Sequence, residues 1–175
     1  PLLEAAIPCY YLLTSAEAAS NLARFDGIRY GPRADTQRLI DTYTQTRSAR
    51  MGPEVQRRIL LGTFALAEGY ADDLYVRANA VRAQMRTAFD SMLQQVDVLA
   101  MPTTPTVAFA RGAKTIEPLQ MYLSDVYTTP PSLTGHPAIS VPAGIHNDLP
   151  VGLQLVGRHA DEATIMKIGM AVHGR

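Results

Sequence analysis

The chain has 175 residues, 47% of them hydrophobic, which suffices to bury a core and argues against disorder. Sixteen basic residues balance sixteen acidic ones, so there is no basic field to draw a polyanion and no case for stand-alone binding of nucleic acid. Twelve Gly and twelve Pro imply many turns, and the length suits one domain or part of one.

From the start of the chain, Ile7 to Leu13 reads as a short buried strand carrying Tyr10 and Tyr11. Thr14 or Ser15 then caps a helix reaching about Ala23, with Glu17 at capping-box spacing from Thr14. Phe25 to Arg33 holds Asp26-Gly27 and Gly31-Pro32 and is turn-rich. Asp35 to Arg50 is polar and reads as a surface helix plus loop. Gly52-Pro53-Glu54 opens the next helix, with Pro in its first turn and an early acid at the positive end of the dipole. That pattern extends to about Gln95, with a kink expected at Gly69.

Asp97 to Met101 reads as a strand stopped by Pro102, and Pro102 to Lys114 as loop. Pro118 opens a helix to about Tyr127, and Thr128 to Gly135 reads as a Pro-rich connection. Ala138 to Val141 and Val151 to Val156 read as buried strands separated by a turn at Asn147-Asp148. A last helix begins near Asp161-Glu162. Strands alternating with helices favour an α/β layered fold.

Cys9 is the single cysteine, so neither an internal disulfide nor a cysteine metal cluster can form, and a reducing compartment is expected. Its apolar surroundings make it a core residue. No apolar run approaches the roughly 20 residues of a membrane-spanning helix. The chain opens Pro1-Leu2-Leu3-Glu4 inside an apolar run, without a basic leader, and reads as a piece of a longer protein. There is no Gly-Gly or Ser-Ser pair, no phosphate loop, no dinucleotide fingerprint and no nucleophile elbow. None of His136, His146, His159 and His173 forms a metal-binding pair at helical spacing. A Ser140–His159–Asp161 triad can be imagined, but Ser140 reads as a strand residue and Asp161 as a helix cap.

Several blocks in order carry a resemblance. They include Ser20-Asn-Leu-Ala-Arg-Phe-Asp-Gly27, Gly52-Pro-Glu-Val-Gln-Arg-Arg58, Met101-Pro-Thr-Thr-Pro105 and Met121-Tyr-Leu-Ser-Asp125. Pro137-Ala-Ile-Ser-Val-Pro142 and Leu149-Pro-Val-Gly-Leu-Gln-Leu-Val-Gly157 complete the set. Together they resemble the amidase-signature family over nearly the whole chain, and its branch of tRNA-dependent amidotransferase A subunits in particular.

The resemblance implies the C-terminal portion of an amidase-signature α/β/α sandwich, with a mixed sheet covered by helices. Residues 1–175 would form part of a single amidase domain whose N-terminal catalytic half is absent. The family hydrolyses amides with a Lys–Ser–Ser triad carried in that other half, so no catalytic residue is expected here. Neither Lys114 nor Lys167 matches the family's lysine.

The resemblance also assigns a grip for glutamine. Arg58 matches the residue that binds the α-carboxylate, Asp125 the one that binds the α-ammonium, and Tyr10 a tyrosine lining the pocket. The residues themselves leave this open. Arg58 shares a stripe with Gly62, Ala65 and Gly69 that lets another element approach, yet it also fits an ordinary surface arginine beside Arg57. Asp125 also fits a structural ion pair or cap, and Tyr10 fits core.

For the intact enzyme the resemblance implies glutamine hydrolysis. The ammonia would pass to a B subunit, which amidates misacylated Glu-tRNA or Asp-tRNA, while a small C subunit wraps the pair. ATP and Mg would belong to the B subunit, this chain needing no cofactor and no metal, and the location would be the cytoplasm or an organelle matrix. Departures from the pattern are the run Pro130-Pro131-Ser132-Leu133-Thr134-Gly135 and His136, at a position often small or apolar. Two alternatives remain: part of a stand-alone amidase with another amide substrate, and a non-catalytic module that docks onto partner subunits.

Overall fold

The computed structural model describes residues 2–70, 72–113 and 118–174. The chain divides into two compact units, residues 10–79 and residues 1–9 with 80–175. Lys114 lies outside the described residues.

The first element, α1 (Leu2–Leu22), corrects the expectation of a strand over Ile7 to Leu13. A short apolar run fits a strand or a buried helix equally well, and the continuation decides between them. The buried residues Ala6, Cys9, Leu13 and Ala16 recur at spacings of three and four, which is one face of a helix. Pro8 sits within it. The expected cap at Thr14 is an interior helix position, where the Thr14 hydroxyl donates to the Tyr10 carbonyl at 2.7 Å.

In the unit of residues 10–79, the turn-rich segment is as expected. The Asp26 carboxylate accepts from the Ile28 and Arg29 amides at 2.7 and 3.3 Å, and Gly27 takes φ +81°. A side chain at Gly27 would collide with Thr46, whose hydroxyl accepts from the Ala34 amide. Arg47 on α2 (Leu39–Arg50) donates to the carbonyls of Leu22 and Phe25, tying α2 to the last residue of α1 and to the turn that follows it. Helix α3 (Pro53–Ala65) begins at Pro53, as read from the sequence. It does not continue through a kink: Gly69 adopts φ +85° and a π-helical turn, Asp72–Val76, leads into α4 (Arg77–Leu93).

The other unit is built on a three-stranded sheet of order β1-β3-β2, from β1 (Leu99–Pro102), β2 (Ala138–His146) and β3 (Leu149–Val156). All described pairs are antiparallel, so β1 and β2 run the same way on either side of β3. The class is α/β, as expected. Asn147 and Asp148, at φ 50° and 60°, form the two-residue turn that suits the twist of a hairpin.

Helix α7 (Glu162–His173) lies on the sheet through Ile165 and Gly169, the latter close against Val141. Met85, Phe89, Leu93, Leu133, Leu155 and Val156 are also buried in this unit. Helix α5 (Pro118–Leu123) stops short of the expected Tyr127, and the expected Pro-rich connection is a helix, α6 (Thr129–Thr134). Its prolines fall at the N-terminal positions where no amide donor is needed, and Gly135 closes it at φ +79°. Among the described residues no helix is long and apolar enough to cross a membrane.

Candidate functional site

The small-residue stripe on α3 is a helix contact. A Cβ at Gly62 would overlap the backbone of Ser15 and Ala16 on α1, and Ala65 is fully buried on the same face. One turn back from Gly62 is Arg58, and one turn back from Ser15 is Tyr11. These two side chains therefore meet. The guanidinium carbon lies 4.9 Å from the Tyr11 ring centroid, a cation–π distance, and Nη2 reaches the Tyr11 hydroxyl at 3.5 Å. Tyr10 stands edge-on to Tyr11, with ring centroids 5.4 Å apart.

Glu54, one turn before Arg58, accepts from Arg58 Nε at 3.0 Å while its other oxygen accepts from Arg57 at 2.7 Å. The Arg58 side chain is only 28% exposed. That burial works against its charge, but the Glu54 hydrogen bond and the Tyr11 and Tyr10 hydroxyls outweigh it and hold the pKa above the ordinary arginine value. The result is a guanidinium fixed along one edge by an acid and across one face by an aromatic ring. Such a group can fork onto a carboxylate with little further ordering.

Asp125 belongs to the other unit and lies in the turn after α5, where it is exposed. Its backbone has a structural role: its carbonyl accepts from the Thr128 and Thr129 amides at 3.2 and 2.9 Å and from the Thr128 hydroxyl at 3.2 Å. The segment is anchored from the sheet by the buried Gln154, whose amide donates to the Tyr127 carbonyl at 2.8 Å. Of the residues singled out in the sequence, the structure thus joins Tyr10 and Arg58 in one cluster and sets Asp125 in the other unit.

Sequence reasoning misses Tyr11 and Glu54. The Glu54–Arg58 spacing of four is a helix-pair signal that could have found Glu54. Tyr11 is hidden by the strand reading, which turns neighbouring side chains to opposite faces.

The imagined triad is not assembled by the described geometry. Ser140 Oγ lies 2.7 Å from the Thr103 hydroxyl, and Asp161 accepts from the Thr164 hydroxyl at the start of α7. His159 instead stacks on His136, with ring centroids 4.0 Å apart, and both rings face Asp90. The His136 side chain is fully buried; burial and the neighbouring His159 lower its pKa, against the opposing pull of Asp90. Burial likewise raises the Cys9 thiol, in keeping with a core role.

Comparison with known proteins identifies the family. Residues 1–166 match the amidase family. The chain is 53% identical over 167 residues, 95% of its length, to the A subunit of glutamyl-tRNA(Gln) amidotransferase from Geobacillus thermodenitrificans. It is also 53% identical over 171 residues, 98% of its length, to the corresponding protein of Chloroflexus aggregans. It spans about a third of these relatives, 34% and 35% of their lengths. The crystal structure of the A subunit of glutamyl-tRNA(Gln) amidotransferase from Thermotoga maritima superposes with a TM-score of 0.68 at 34% identity, covering 98% of this chain and 32% of that one. With all but its last nine residues matched, this chain belongs to the amidase family.

Proposed function

We propose that this chain is the glutamine-binding portion of the A subunit of a tRNA-dependent amidotransferase. The observation that carries the reading is the identity of 53% to such proteins across almost the whole chain. In this reading Arg58 takes the α-carboxylate of glutamine, Asp125 takes the α-ammonium, and Tyr10 walls the pocket. Each charged end of the substrate then meets a partner of opposite sign as it leaves water. The fixed guanidinium supports the first role. Exposure of Asp125 at a turn braced through Tyr127 suits the second, because a rigid backbone holds the carboxylate in place.

The amide bond would be cut by the family's Lys–Ser–Ser triad, supplied outside this sequence, so the chain alone would release no ammonia. In the assembled enzyme the ammonia would pass to the B subunit, which would use ATP and Mg to amidate misacylated Glu-tRNA or Asp-tRNA. A C subunit would bind the pair.

A kinetic comparison tests the assignment. A charge-assisted hydrogen bond contributes roughly 1.5–3 kcal/mol. In the assembled amidotransferase containing this segment, Arg58→Ala should therefore lower kcat/KM for glutamine about tenfold to a hundredfold. Amidation driven by added ammonia, which bypasses glutamine, should continue at the wild-type rate. Unchanged glutamine kinetics would remove Arg58 from the site.

A further inference from the structure

The unit of residues 10–79 carries a hollow that the glutamine reading does not use. It has a volume of about 300 Å3 and is formed by the end of α1, the turn segment after it, α2 and the start of α3. Leu22, Phe25, Tyr30, Pro32, Met51 and Val55 give it apolar walls. Phe25 and Tyr30 are 44% and 49% exposed and meet edge to face, with ring centroids 6.1 Å apart. Arg47 and Met51 also wall a second hollow of about 200 Å3 that takes in Ile59 and the exposed Leu60, so the two adjoin as a groove. Exposed aromatic and aliphatic side chains gathered around a concave surface mark a place where another apolar group seats.

The charge around the larger hollow has one sign. Arg47 and Arg50 line it, and no acidic residue does. The Arg24 guanidinium lies over the Tyr30 ring, 5.7 Å from its centroid, and Arg33 follows Pro32 in the chain. Between Ser20 and Arg58 the sequence holds eight arginines and four acids, in a chain whose net charge is zero. Three of the four acids are engaged: Asp26 accepts from the Ile28 and Arg29 amides, Asp41 pairs with Arg38, and Glu54 pairs with Arg57 and Arg58. Among the described residues Arg24, Arg33 and Arg50 form no ion pair.

An apolar hollow bordered by arginines suits an acidic segment that carries one large apolar side chain. That side chain fills the hollow while its neighbouring carboxylates meet the guanidinium forks. Single-stranded nucleic acid fits less well, because its bases need flat, open aromatic faces. Arg24 takes one face of Tyr30, and Phe25 stands at an angle to the same ring. A second copy presenting this same face would set arginine against arginine. We propose that the groove docks an acidic peptide segment of a partner protein, anchored by one aromatic or leucine side chain.

The test uses the full-length A subunit containing this segment and fluorescence anisotropy of dye-labelled peptides. In these, aspartates and glutamates flank a central phenylalanine, tryptophan or leucine. Saturable binding is expected for at least one peptide at low salt, weakening as added salt screens the charges. Replacing the central residue of the peptide by alanine should weaken binding at least about tenfold. Arg24→Gln and Arg50→Gln should each weaken it about two- to fivefold. Phe25→Ala should weaken the anchored peptide and leave its alanine counterpart nearly unaffected. Arg111→Gln, an exposed position in the other unit, should change nothing.

Circular dichroism of each variant should match the wild type. The proposal is overturned if none of the peptides binds saturably at millimolar concentration, or if the alanine counterpart binds as tightly. It is equally overturned if a natively folded Arg24→Gln/Arg50→Gln double variant binds as the wild type does. Tighter binding of an oligothymidylate of equal charge would assign the groove to nucleic acid, and self-association through it would assign it to a second copy; either result also overturns the proposal.

Discussion

Gly62→Ala puts the α1–α3 contact to a direct test. In the interior of an exposed helix, alanine is favoured over glycine by about 1 kcal/mol. At this position the added methyl group would occupy the space of the Ser15 carbonyl and the Ala16 amide nitrogen. These are backbone atoms and have no rotamer to escape into, so α1 and α3 must move apart. Overpacking a core costs typically 1–3 kcal/mol, and an obstacle that cannot rotate lies at the upper end. Set against the gain in helix propensity, the net loss should be about 2 kcal/mol. Urea denaturation should show a lower midpoint with an unchanged slope. Gly52→Ala is the control: nothing lies within 4 Å of the new methyl, and the change should cost less than about 1 kcal/mol. A Gly62→Ala chain as stable as the wild type, or more stable, would refute the packing argument and with it the reason Arg58 meets Tyr11.

Asp125→Asn in the assembled enzyme should lower kcat/KM for glutamine about tenfold or more through the loss of one charge-assisted contact, with circular dichroism unchanged because the backbone carbonyl keeps its bonds; steady-state kinetics that match the wild type would exclude it from the site. Arg158→Ala should destabilise the chain by about 1–2 kcal/mol in urea denaturation, because this arginine donates to the carbonyls of Leu93 and Val96 and to the Asp97 carboxylate, closing the end of α4. For Asp26, the amide of Ile28 and then that of Arg29 hold the carboxyl below its ordinary 3.8. A group whose folded pKa is depressed contributes stability above its unfolded value and loses it as the pH falls through the folded one, so the turn should weaken only below about pH 4. Carboxyl NMR titration should give an Asp26 midpoint under 3.8, and a midpoint at or above that value would contradict the turn geometry.

The parts of the fold that were legible are those with local causes. Pro53 starts a helix because it needs no amide partner there, and Asn147-Asp148 turns a hairpin because both residues tolerate positive φ. The strand assigned to Ile7–Leu13 failed because seven apolar residues carry no period of their own, and only burial out to Ala16 reveals the helical one. Prolines suggested a loop over Thr128–Gly135, but Pro at the start of a helix is compatible with helical geometry.

At the site, the stripe through Arg58, Gly62 and Ala65 was readable as a close approach, but its partner was not, since that depended on the conformation of α1. The grouping of Asp90, His136 and His159 was invisible because 46 residues separate the first two and no local spacing encodes a meeting across three elements.

The register between α1 and α3 sets limits on how this segment can change in length. Successive residues of a helix are turned by about 100°, so inserting or deleting one residue between Tyr11 and Ser15 would swing the tyrosines a quarter-turn or more around α1 while Ser15 stayed seated against Gly62. Length differences between relatives should therefore collect between Ala23 and Arg38, where the chain is turns, and be absent between Tyr10 and Ala16.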